Sequence, residues 1–182
     1  MTAVPPGILP RIPGPTSHYQ LDFRAGSLKP EDMAAKSPRL AARALILHDN
    51  RLLLVNAFPG GRSDLWCAPG GGVESGTSLH ANLMREVHEE TGLRITVGEP
   101  ALINEFHDPA TGFHQVDIFF RCTVTGGSID ANWRDPARVV TDRRYFSQAD
   151  LTSGRIRFKP DSLATAAWEA GLTYDPLERL IR

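Results

Sequence analysis

The sequence predicts an α+β fold: a sandwich built on a central mixed β-sheet. Three observations predict it. Short apolar runs with turn residues between them lie both before and after one amphipathic helical segment. Strands and helices do not alternate regularly, which excludes a doubly wound parallel sheet. The chain has 182 residues, 41% of them hydrophobic, which suits one core with extensions.

Residues 1–38 form a proline-rich N-terminal extension, "VPPGILPRIPGP" followed by a mixed polar stretch. Proline fixes φ and lacks the amide donor, so no ordinary helix or central strand fits the first fifteen residues. Residues 1–16 read as a tail. "SHYQLDFRAG" could form an extended arm packing on the domain or on a second copy, so a homodimer is compatible with the sequence. The folded domain is expected over residues 39–182.

Within it, Ala44–Leu47 and Leu52–Val55 are apolar runs divided by Asp49-Asn50, the pattern of a β-hairpin. "FPGGRSD" reads as a loop and "LWCAP" as a short strand running into Gly70-Gly71-Gly72. The helix follows, with Thr77 or Ser78 as N-cap and Gly92 just past its end. "LRITVGEPALINEF" and "FHQVDIFFRCTV" read as strands joined through the turn "HDPATG". "GGSID" turns the chain, and "ARVVTDRRYFS" reads as a further strand. Short helices near Gln148–Leu151 and Ser162–Ala170 are expected to close it.

Charge and composition narrow the function. The net charge of −1 gives no reason to expect a nucleic-acid polymer or a membrane surface as partner. No run approaches the roughly 18 apolar residues of a membrane span, and prolines interrupt any signal-like N-terminus. Cys67 and Cys122 lie far apart in apolar stretches, as buried thiols do. A cytoplasmic location is the expectation.

The helix carries the chemistry. Leu79, Leu83 and Val87 recur every four residues as the buried stripe, with Met84 beside it. Glu86, Glu89 and Glu90 stand at i, i+3 and i+4 and share another face. Like charges so placed repel, and the C-terminal end of the helix dipole disfavours them further. A divalent cation relieves both costs, and hard oxygen ligands suit Mg²⁺ or Mn²⁺ rather than zinc.

"GGVESGTSLHANLMREVHEETGL", residues 71–93, resembles the Nudix box: Gly, five residues, Glu, seven residues, then Arg-Glu-aliphatic-x-Glu-Glu-x-Gly-aliphatic. Eight of nine defined positions agree, from Gly71 to Leu93. "LWCAPGG" resembles the entry common in the family, and the likeness spans roughly residues 40–152. It implies an α/β/α sandwich and Mg²⁺-dependent hydrolysis of a nucleoside diphosphate derivative by water. It implies Glu86, Glu89, Glu90 and the Gly70 carbonyl as metal ligands. Arg85 would orient the glutamates, and Glu86 is the first choice of base. Asp142, before "RRYF", resembles an acidic position of MutT-like relatives; Glu105 and Asp117 are weaker candidates. Pro109, 16 residues after Leu93, resembles a marker of ADP-ribose pyrophosphatases but is also ordinary turn chemistry. His107 and His114 bracket that turn. Phe58, Arg62 and Trp66 lie on the expected substrate side, Arg62 for phosphate and an aromatic for a base.

The departure is Thr77, where the family has glutamate. It cannot balance Arg85, though Glu74 in the preceding turn could. It leaves open a second reading, a nucleotide-binding or regulatory module with weak or no hydrolysis. Substrates compatible with the box are ADP-ribose-like compounds, nucleotide sugars and (d)NTPs.

Overall fold

The computed structural model describes residues 37–57 and 63–179. The expected N-terminal tail and arm, and the substrate candidates Phe58 and Arg62, lie outside them. The described chain runs β1 (Arg39–His48), β2 (Arg51–Asn56), β3 (Gly70–Gly72), α1 (Leu79–Thr91), β4 (Arg94–Asp108), β5 (Phe113–Gly126), β6 (Asp142–Ser147), α2 (Gln148–Thr152), α3 (Leu163–Ala166), β7 (Thr173–Tyr174) and β8 (Glu178–Arg179).

The fold is α+β with a central mixed sheet flanked by short helices. The strands lie in the order β6-β2-β1-β5-β4-β7, with β3 on β1 and β8 on β4. β1 runs parallel to β5, from Arg39 opposite Gln115 to Ile46 opposite Cys122, and antiparallel to β2 and β3. Strand alternation divides the core into two layers. Leu45, Leu52, Leu54 and Phe119 face α2 and α3, packing with Leu151 and Leu163. Ala44, Ile46, Leu53 and Phe120 face α1, packing with Leu83 and Val87. Strands covered on both faces read as continuous apolar runs, which is why "LILHDNRLLLV" shows no alternation.

Local chemistry accounts for the joints. Asp49 and Asn50 both have positive φ (47° and 58°), as a two-residue hairpin turn of the right twist requires. Ser78, not Thr77, caps α1: its hydroxyl accepts from the Ala81 N–H at 3.1 Å. Gly92 ends the helix in the left-handed region (φ 77°). Ser147 and Asp150 form a reciprocal capping box at α2.

Three expected elements differ. "LWCAP" forms single bridges only, because neighbouring residues pair in different directions: Cys67 with Val55, Trp66 with Phe158. The strand expected over "ARVVT" begins only at Asp142. The Val139 and Val140 N–H groups donate to the Asp135 carboxylate at 2.8 and 2.9 Å, so they cannot serve a ladder. The last helix starts where expected but stops at Ala166, and beyond it the Trp168 N–H donates three residues back, to the Thr165 carbonyl, in a turn.

The helix stripe is buried as expected, but the residue beside it differs. Leu83 and Val87 are fully buried, but Met84 is 42% exposed, and Asn82 and Glu90 take places on the buried side. Leu83→Ala is therefore expected to lower the unfolding free energy by about 2–5 kcal/mol. Met84→Ala should change it by within about 0.5 kcal/mol. Chemical denaturation of both variants measures the difference.

Candidate functional site

The strand β3 is three glycines, and at Gly70 only glycine fits. Gly70 has φ 133°, and a Cβ on it would stand 2.2 Å from the Ala42 carbonyl oxygen. A Cβ on Gly71 would stand 2.7 Å from the Glu86 carboxylate. The bare backbone lets α1 come down on β1 and β3 with its acidic side against the glycines.

The resulting cleft is about 620 Å³. Glu86, Glu89, Glu90 and Gly70, the four expected metal ligands, all line it, with Arg39, Arg43 and Asp135. The acidic face and the buried stripe are not separate, as the spacing alone suggested. Glu90 is only 9% exposed and accepts the Gly70 N–H at 2.8 Å. Burial, first of all, raises its pKa to about 7; the Gly70 hydrogen bond and Arg43 oppose the rise, while Glu86 and Asp135 add to it.

Arg85 gathers the other carboxylates. Its guanidinium donates to Glu86 at 2.8 Å, to Glu89 at 2.9 Å and to the Asn82 side-chain oxygen at 3.0 Å. It also lies 3.1 Å from Glu74, so the turn glutamate supplies a counter-charge that Thr77 cannot. Thr77 itself is exposed.

A second cation lies beneath the glycines, partly buried. Arg43 donates to Asp117 at 2.9 Å and to the Gly70 carbonyl at 2.7 Å. Burial pulls its pKa down, but Asp117, Cys67 and Glu90 outweigh that and leave it raised. Asp117 is thus committed to Arg43 and to Gln115, whose amide donates to both of its oxygens.

The remaining candidates fall elsewhere. Asp142 is exposed at the start of β6, bonded to Arg144 at 3.1 Å, and is not among the residues lining the cleft. Asp135 takes the acidic place there instead. It is buried, and its two oxygens accept from Ala137, Val139 and Val140. Sequence reasoning missed it, although Asp135-Pro136 is a turn-initiating pair whose aspartate could have drawn notice. Glu105 pairs with His114 at 2.7 Å. Pro109 sits exposed in a turn that Asp108 closes by accepting from Ala110. Trp66 packs edge-on against Phe146, its centroid 5.0 Å away, as a core residue. From the outer side, the Trp133 indole N–H donates to the Glu89 carbonyl at 2.9 Å, and Arg143 donates to the Glu90 carbonyl, fastening the end of α1.

The donor set is all hard oxygen, as Mg²⁺ or Mn²⁺ requires. Among the described residues no three acidic, histidine or cysteine side chains converge as a ready metal site, since Arg85 holds Glu86 and Glu89, and Glu90 rests on Gly70. These contacts use one oxygen of each glutamate, so the chemistry of the set fits a cation. Among the described residues no helix is long and apolar enough to cross a membrane.

A family model for the NUDIX domain matches residues 37–168. The MutT-like protein of Streptomyces ambofaciens is 32% identical over 116 residues, covering 58% of this chain and 71% of that protein. The ADP-ribose pyrophosphatase of Methanocaldococcus jannaschii is 31% identical over 94 residues, covering 52% of this chain and 56% of its own. The chain spans about half the length of that relative and of another from Bacillus subtilis. Among solved structures, a NUDIX hydrolase from Nitrosomonas europaea has a TM-score of 0.60 at 22% identity, covering 71% of this chain and 85% of that one. A UDP-X diphosphatase has a TM-score of 0.59 at 21% identity, covering 76% and 68%. These two likenesses are of fold.

The raised Glu90 pKa has a stability consequence. Between its ordinary 4.5 and about 7, the folded state holds the proton more firmly than the unfolded state. Stability therefore falls as pH rises through that window. In metal-free buffer the wild type should lose on the order of 1–3 kcal/mol, relative to Glu90→Gln, between pH 4.5 and 8. Denaturation of both proteins at several pH values checks the sign.

Proposed function

Because the chain belongs to the Nudix family, we propose that its glycine-lined cleft hydrolyses the pyrophosphate linkage of a nucleoside diphosphate derivative with the aid of Mg²⁺ or Mn²⁺. The observation that carries this reading is the meeting of Glu86, Glu89 and Glu90 with Gly70 around one cleft that also holds Arg39 and Arg43. Acidic groups there would take cations, and arginines would take phosphate oxygens.

Glu86, Glu89 and Glu90 are the residues that would hold the cation. The Gly70 carbonyl already accepts from Arg43, so it would offer its second lone pair. When bound, the cation supplies charge neutralisation of the diphosphate and acidification of water. The protein's own part is positional. Arg85 holds Glu86 and Glu89 in place; Glu86, against Gly71, accepts the proton of the attacking water through its carboxylate. The new P–O bond forms as the bridging P–O bond breaks. ADP-ribose-like compounds come first among substrates, following the names of relatives, with nucleotide sugars and (d)NTPs next.

A second reading has its own observation. Arg85 engages Glu74, Glu86 and Glu89 together, and the carboxylates do not converge as they stand. A protein that keeps them so would bind a nucleotide and cleave it weakly or not at all.

Phosphate release from ADP-ribose, nucleotide sugars, dinucleoside polyphosphates and (d)NTPs, with Mg²⁺, separates the two. Hydrolysis of at least one class is expected, with Glu86→Gln and Glu90→Gln each lowering it by about 10²-fold or more. A flat panel alongside measurable nucleotide binding would favour the second reading. Thr77→Glu should restore the counter-charge to Arg85 and raise turnover or lower the Mg²⁺ requirement. No change in either quantity would show that Glu74 already suffices.

A further inference from the structure

Asn82 is a polar residue on the buried side of α1. It stands three positions after Leu79 and one before Leu83, where helix spacing calls for an apolar side chain, and it is fully buried. Asparagine also favours the helix less than leucine does, so packing alone gives no reason for it there.

Three groups account for it. Its side-chain oxygen accepts from the Glu74 N–H at 3.3 Å and from the Arg85 guanidinium at 3.0 Å. Its amide nitrogen donates to the Gly72 carbonyl at 3.2 Å. Chemistry fixes this orientation, since two donors meet the oxygen and a carbonyl meets the nitrogen. Aspartate could meet the two donors but not the carbonyl; an apolar residue could meet none of the three.

Asn82 differs in kind from the other partners of Arg85. The side chains of Glu86, Glu89 and Glu74 are 20%, 38% and 67% exposed, so they can swing away from the guanidinium. The Asn82 amide is locked inside and carries no charge. It therefore holds Arg85 without adding a negative group beside the carboxylates.

Resting on the proposed hydrolase reading, we propose that Asn82 is a positioning residue for that reaction. It pins Arg85 to the glycine strand, so that Arg85 keeps Glu86 aimed at the attacking water. The hydrogen bonds form one series: Asn82 to Gly72 at 3.2 Å, Arg85 to Asn82 at 3.0 Å, Arg85 to Glu86 at 2.8 Å. The Glu86 carboxylate in turn lies against Gly71, so both ends of the series rest on β3. A carboxylate drawn toward a cation lets go of Arg85, and Asn82 keeps the guanidinium in place when that happens.

Two measurements on the full chain test this, with Asn82→Ala and Asn82→Asp. The first is the ¹⁵N relaxation of the Arg85 side-chain Nε–H, which reads the order of the guanidinium without any substrate. The wild type should be as ordered there as the α1 backbone, and Asn82→Ala as mobile as the exposed Arg155. The second is turnover of whichever substrate class the wild type hydrolyses. Asn82→Ala should lower kcat about ten-fold with KM changed less than about two-fold. Asn82→Asp, which keeps an acceptor for Arg85, should recover most of both losses. Where the alanine variant does not fold, the aspartate variant decides: Arg85 still ordered supports the role, and Arg85 as mobile as Arg155 overturns it. Arg85 equally ordered in the wild type and a folded Asn82→Ala would also overturn it, and would leave the hydrolase reading standing. A wild type that hydrolyses nothing, with Arg85 released by Asn82→Ala and held by Asn82→Asp, would overturn the hydrolase reading and leave the Asn82–Arg85 anchor standing.

Discussion

Both polar groups of one residue, Gly70, are held by charges of opposite sign, one buried and one partly buried. Its N–H donates to Glu90 of α1, and its carbonyl accepts from Arg43 of β1. The residue's positive φ and its close approach to Ala42 admit no side chain. Helix, hairpin strand and glycine strand are therefore fixed to one another at a single residue, through the two peptide groups that flank it. Arg43 is balanced in turn by Asp117 on β5, so the clamp reaches across the parallel pair β1–β5. Buried charges cost free energy unless paired, and this arrangement keeps that cost low for Arg43 while leaving Glu90 under strain of desolvation.

That asymmetry organises the cleft. Arg43 is satisfied from below, by Asp117 and backbone carbonyls, and lines the cleft from beneath the glycines. Arg85 stands half-exposed beside the cleft and draws Glu74, Glu86 and Glu89 together. Exposed ion pairs of this kind contribute little stability and exchange partners readily. On the proposed reading a cation would take Glu86 and Glu89 from Arg85, while Glu90 keeps one oxygen on the Gly70 N–H and offers the other. Fixed backbone with exchangeable carboxylates suits the binding and release that this reading requires.

Much of this was legible in the sequence, and the reasons are local. Asp49-Asn50 announces a hairpin because few residues tolerate two positive φ values in succession. Gly92 and a hydroxyl before Leu79 announce the helix ends, and the spacing of Glu86, Glu89 and Glu90 announces a shared face. What stayed hidden depends on contacts between distant residues. Arg43 and Asp117 are 74 positions apart, and nothing in "ARALIL" marks its arginine as paired beneath the cleft. Helical spacing placed Met84 beside the stripe because it weighs residue type alone. In the fold Met84 is exposed, and Glu90, holding the Gly70 N–H, is buried. "ARVVT" has strand propensity, but Asp135 takes its N–H groups. Asp142 stands out by its neighbours in sequence, whereas Asp135 comes to the cleft by its neighbours in space.

The proposed cation would sit where the glycine strand meets the acidic turn of α1. Paramagnetic broadening of backbone amide resonances by substoichiometric Mn²⁺ at neutral pH locates it. Signals of Gly70–Gly72 and of Arg85–Glu90 are expected to broaden first, with Glu105 and His114 unaffected at the same ratio. Broadening centred on the Glu105–His114 pair, or none at stoichiometric Mn²⁺ with nucleotide present, would contradict that placement.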